Sequence, residues 1–188
     1  FVALPIPDEL AAAVVQVQER LRARVPARSV RWCSREQLHL TLRFLGDVSA
    51  ASLEALRVAL REGCCEVPPL ALALAGAGCF PDPRAPRVLW VGVTGEVERL
   101  CQFQARLETK LAGFGEPADV RGYHPHLTIG RVQGRGREAR AVGAALLGLQ
   151  AGVLGSWVAC RVCLVQSHLS SAAARYTDLA AFDLEGPK

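Results

Sequence analysis

The tripeptide His-Leu-Thr occurs twice, at residues 39–41 and 126–128, in a chain of 188 residues that holds only four histidines. Random placement of four His and five Thr would give about 0.1 His-x-Thr spacings, so two copies sharing a middle residue constrain the fold strongly. Each copy stands in alternating apolar surroundings, "LHLTLRFLG" and "HPHLTIGR", as a strand would produce. Successive side chains of a strand point to opposite faces. His39 and Thr41 therefore share one face with Leu40 and Leu42 behind them, and His126 and Thr128 share one face with Leu127 and Ile129 behind. Strict alternation also carries Arg43 onto the face of His39 and Thr41, while Arg131 closes the second copy.

The surroundings of the two copies repeat. "FVALPI" reads as a strand, Pro7-Asp8-Glu9 as a helix start, and Leu10, Val14, Val17 and Leu21 recur at helical spacing until Pro26. "SVRWC" and the first motif are strands, and Leu53, Leu56 and Leu60 mark the next helix. "LALALAGAG" and "RVLWVGV" follow as strands around the loop "FPDPRAP". The second half runs in the same order. A helix carries Leu100, Phe103, Leu107 and Leu111; the second motif and a weaker helix with Val142, Leu146 and Leu149 come next. "WVACRVCLVQS" and "RYTDLAAFDL" then read as two strands. Strands joined by hairpin-length turns and interleaved with helices predict an α+β fold with antiparallel sheets. The expectation is one domain over residues 1–188, built as two pseudo-symmetric lobes. Two antiparallel sheets would face a central cleft, with helices outside.

Half of the residues are apolar, and no stretch approaches the roughly 20 apolar residues of a membrane span. The opening segment has no basic stretch before a long apolar one, so no secretory signal is expected. The chain contains no Met, and it is expected to lack the first residue or two of its gene product. Seven cysteines are scattered, and the close pair Cys160 and Cys163 falls in a strand, where residues three apart face opposite ways. Reduced thiols, a cytoplasmic location and a monomer are the expectation. Of 22 basic residues 20 are Arg, which suits planar phosphate contacts as well as an Arg-rich genome.

Two histidines about a pseudo-twofold suit in-line displacement at phosphorus, which needs a base on one side and an acid on the other. Imidazole titrates near neutral pH and fills either role. Thr41 and Thr128 hydroxyls would donate to non-bridging oxygens, with Arg43 and Arg131 as candidates to hold the developing charge.

These motifs resemble the two-histidine (2H) phosphoesterase superfamily, and within it the LigT-like RNA 2',3'-cyclic phosphodiesterases, once described as 2'-5' RNA ligases. The resemblance also rests on "FVALPIP", "FPDPRAPRVLWVGV" and "VQSHLSSAAARYTDLAAFDL". It implies a bilobal fold, no metal or cofactor, His39 and His126 as catalytic, and Thr41 and Thr128 on the phosphate. The implied substrate is an RNA end or nucleotide bearing a 2',3'-cyclic phosphate, opened to a 2'-phosphomonoester. His126 is expected as base and His39 as acid. The same site run backwards would be a 2'-5' RNA ligase, and a non-catalytic RNA-binding module is the alternative from another class. His124, where the family often carries Arg, and His168, where an acidic residue is common, depart from the pattern.

Weaker features compete with this reading. His124 and His126 form His-x-His, which Asp119 would complete as a metal site. Ser167-His168 with a distant Asp would imitate a hydrolase triad, but no G-x-S-x-G elbow accompanies it. Arg131, Arg135, Arg137 and Arg140 read either as a solvated loop and helix start or as an RNA-backbone patch. Among Phe80, Trp90, Tyr123, Trp157 and Tyr176, Tyr123 and Tyr176 are the expected platforms for stacking a base.

Overall fold

The computed structural model describes residues 1–117, 122–169 and 174–187. The apolar stripes fold as α1 (Asp8–Arg22), α2 (Leu53–Cys64), α3 (Val97–Lys110) and α4 (Arg137–Leu147). In α1 the positions buried at helical spacing are Leu10, Val14, Val17 and Leu21, and Asp8 and Glu9 lie at the positive end of the helix dipole. The strands are β1 (Val2–Pro5), β2 (Val30–Trp32), β3 (His39–Arg43), β4 (Leu70–Phe80), β5 (Val88–Gly95), β6 (His126–Val132), β7 (Val153–Ala159), β8 (Arg161–Leu169) and β9 (Ala174–Asp183).

The strands pair antiparallel in the order β7-β4-β5-β6-β3-β1-β8-β9, with β2 also paired to β6. The two expected sheets are thus the two wings of one hydrogen-bonded sheet. They join where β3 meets β6, at the single pair Leu40 and Leu127. Both leucines are fully buried, each contributing roughly 1.5–3 kcal/mol by leaving water.

The halves of the chain are not the halves of the fold. β4 and β5, from the first half, extend the β6 wing, and β8 and β9, from the second, extend the β3 wing. The expected continuous strand "WVACRVCLVQS" is broken at Cys160, and there the chain changes wings: β7 pairs with β4 and β8 with β1. Cys160, at the break, is exposed, and Cys163 in β8 is buried. Helices α2 and α3 pack behind the β3 wing, α1 and α4 behind the other.

Each motif strand carries a bulge at the same place. Against β1, Thr41 pairs with Ala3 and Arg43 with Val2, leaving Leu42 as the extra residue. Against β5, Thr128 pairs with Trp90 and Gly130 with Leu89, leaving Ile129 extra. A bulge turns the next side chain to the opposite face from the one alternation predicts.

Candidate active site

Leu40 opposite Leu127 centres the two motifs on each other. In that antiparallel register His39 lies across from Thr128 and Thr41 across from His126. The histidines therefore occupy one diagonal of a quartet and the threonines the other. The burial pattern fits: the His and Thr of each copy are half-buried, while Leu40, Leu42, Leu127 and Ile129 are buried against the helices. A local twofold passes between the leucines. A phosphate laid on the quartet would meet an imidazole on either side and a hydroxyl beside each.

The two imidazoles are held differently. His126 places Nδ1 2.7 Å from the carbonyl of His124, which as the N–H acceptor leaves Nε2 for chemistry. Burial lowers its pKa, the His124 backbone bond opposes this, and charges on His124 and Arg131 lower it further. Phe80 stands edge-on at 5.0 Å and Trp90 lies 6.4 Å away. His39 is enclosed: Phe1 stacks on its ring at 4.7 Å and Tyr176 meets it edge-on at 5.4 Å. Burial holds its pKa at about 4, against an opposing backbone bond at Gln37. His39 is therefore neutral at neutral pH.

Arg43 does not face the quartet. The bulge at Leu42 turns it inward, where it is 4% exposed. It donates from Nη1 to the carbonyl of Glu108 at 2.9 Å and from Nη2 to that of Glu116 at 3.2 Å. Its Nη1 also lies 2.8 Å from Glu108 Oε2, so the guanidinium ties β3 to the end of α3. Gly130 takes the equivalent place in β6, where a Cβ would come within 2.8 Å of Val30 Cγ1. Past the bulges, the side chains returning to the quartet's face are Phe44, 62% exposed and 6.0 Å from Phe1, and Arg131.

Tyr123 is not a free stacking platform either. It packs against the core, and its hydroxyl donates to the carbonyl of Thr41 at 3.0 Å, bracing one motif against the other. Burial raises its pKa. Tyr176 is at the site, as the cover of His39. Trp157 is core, whereas Phe80, Trp90 and His124 cluster beside His126 with ring centroids 5.3–5.4 Å apart. Sequence reasoning missed Phe1 and Phe44; the signal for Phe44 was its place after the bulge, which alternation alone conceals. Asp119 lies outside the described residues. Among those described, no group of three or more His, Cys, Asp or Glu is placed to hold a metal.

Two imidazoles and two hydroxyls share one face about a local twofold, the set of groups that acid–base exchange at a phosphate ester would need. A family model described as LigT like phosphoesterase matches residues 4–90. An RNA 2',3'-cyclic phosphodiesterase of Methanothermobacter thermautotrophicus is 34% identical over 187 residues, covering 98% of this chain and 97% of that protein. One from Aquifex aeolicus is 29% identical, covering 93% of each. A crystal structure from Thermus thermophilus superposes with a TM-score of 0.80 at 25% identity, covering 100% of this chain and 98% of that one. E. coli LigT complexed with 3'-AMP gives 0.74 at 26% identity, covering 98% and 96%. The chain belongs to the LigT-like phosphoesterase family.

Proposed function

We propose that this protein hydrolyses the terminal 2',3'-cyclic phosphate of RNA or a nucleotide to a 2'-phosphomonoester, by acid–base catalysis without a metal. The observation that carries the reading is the pairing of Leu40 with Leu127, which brings the two His-Leu-Thr strands together at the centre of the sheet. The curated relatives named RNA 2',3'-cyclic phosphodiesterase support the substrate class. Water attacks phosphorus, one imidazole takes its proton, the P–O3' bond breaks, and the other imidazole protonates the departing 3' oxygen. Thr41 and Thr128 donate to the non-bridging oxygens as negative charge builds on them.

His39 is the base and His126 the acid, the reverse of the expectation from sequence. Enclosure by Phe1 and Tyr176 keeps His39 neutral down to about pH 4, so it is ready to accept a proton. His126 is the less enclosed of the two, with exposed His124 at its mouth, so it can take up from solvent the proton that it donates.

The test is incubation with adenosine 2',3'-cyclic monophosphate in excess EDTA, with the product identified by phosphorus NMR. Adenosine 2'-monophosphate is the expected product, and His39→Ala or His126→Ala should lower the rate about a thousandfold. A 3'-monophosphate product, a strict metal requirement, or full activity in either variant would overturn the reading.

A further inference from the structure

Row by row, the paired strands map the face on which the quartet stands. The row across the motifs holds Trp90 of β5, Thr128 of β6 and His39 of β3. The next row toward the end of β6 holds Val88, Arg131 and Arg31, because Arg131 pairs with Val88 on one side and with Arg31 of β2 on the other. Two arginines thus stand directly opposite each other on neighbouring strands, and both are exposed. Their flanking pair, Val30 and Val132, is buried, so the arginines share the face of the quartet and not that of the helices.

Like charges set directly across a ladder destabilise it. Among the described residues, neither Arg31 nor Arg131 forms an ion pair with a carboxylate. The positive field of the pair acts on Cys33 and on Tyr176, the cover of His39, so it reaches the site. Opposed arginines that pair with no carboxylate among the described residues, beside a phosphate site, suit a second anion. Two residue pairs along a strand carry that anion about 7 Å past Thr128, next to the first phosphate and not on it.

We infer that Arg31, with Arg131, is the subsite for the phosphodiester one nucleotide upstream of the reacting end, so the substrate is an oligonucleotide end in preference to a mononucleotide. The inference rests on the phosphodiesterase reading and adds a residue and a length requirement to it. Arg31 does not touch the reacting atoms. It holds the strand by a charge-assisted, two-pronged contact that Lys cannot fully replace.

Kinetics test this with adenosine 2',3'-cyclic monophosphate against the dinucleotide ApA ending in a 2',3'-cyclic phosphate. The dinucleotide should have the higher kcat/KM, through KM. Arg31→Ala should cut the dinucleotide-to-mononucleotide ratio about tenfold and Arg31→Lys by less. A binding arm needs no turnover. Calorimetric titration with 3'-phosphorylated ApA across a salt series should show Arg31→Ala lowering the slope of log K against log salt by about 0.7. A ratio and a salt slope unchanged in Arg31→Ala would overturn the subsite. Loss of turnover on both substrates in the parent protein would instead overturn the phosphodiesterase reading, leaving the binding arm to decide on Arg31.

Discussion

The strands that carry His39 and His126 share a backbone and differ in their surroundings. Both run His-Leu-Thr, both bulge at the residue after Thr, and both bury their leucines against helices. After the bulge one places Arg43 inward and Phe44 outward, the other Gly130 inward and Arg131 outward. His39 sits under Phe1 and Tyr176, and His126 stands beside Phe80, Trp90 and an exposed His124. Symmetric chain geometry therefore carries asymmetric surroundings. A displacement at phosphorus needs that asymmetry, because one imidazole must begin neutral and the other protonated.

The sharpest way to break this comparison is a substrate that needs no acid. Replacing the bridging 3' oxygen by sulfur makes the leaving group a thiolate, stable near pH 8.5 without protonation. On that substrate His126→Ala should recover to within about tenfold of the parent, while His39→Ala should stay about a thousandfold down. Recovery of the His39 variant instead would exchange the two roles.

A second prediction separates Arg43 from the phosphate. Arg43→Met deletes a buried cation and strands Glu108, and should cost about 3 kcal/mol of stability, read by urea unfolding. KM for the cyclic nucleotide should hardly move at a temperature where the variant is folded. A large rise in KM with stability intact would put Arg43 back at the site.

The smallest effect concerns the cover of His39. Tyr176→Ala admits water to the imidazole, so its pKa should rise from about 4 toward the ordinary 6.5. A base must be unprotonated to act, so the acidic limb of the kcat/KM profile should move up by about one unit. An unmoved limb would show that Tyr176 does not set the proton affinity of His39, or that His39 is not the base.

How much of this was legible beforehand follows from what leaves a trace in composition. Alternation exposed the faces of His39, Thr41, His126 and Thr128, because a strand buries every second residue whatever its partners. Helical spacing marked Leu10, Val14, Val17 and Leu21 for the same reason. A bulge leaves no such mark: Leu42 and Ile129 look like ordinary strand residues, so Arg43 read as a phosphate ligand when it is a buried tie. Tyr123, beside Gly and His, read as a platform, since nothing local shows that the carbonyl of Thr41, 82 residues away in sequence, accepts its proton. The change of wings at Cys160 was equally hidden, because pairing partners are a property of the whole sheet.

The join between the wings bears on mechanics. A sheet is stiff where many ladder rungs cross it, and between β3 and β6 it has one, Leu40 with Leu127, with β2 bracing β6 farther along. The line of fewest rungs between the two wings thus runs directly beneath the two His-Leu-Thr motifs. Any flexing there would alter the gap between the two imidazoles, so the leucines behind the sheet are placed to set how far apart the two motifs stand.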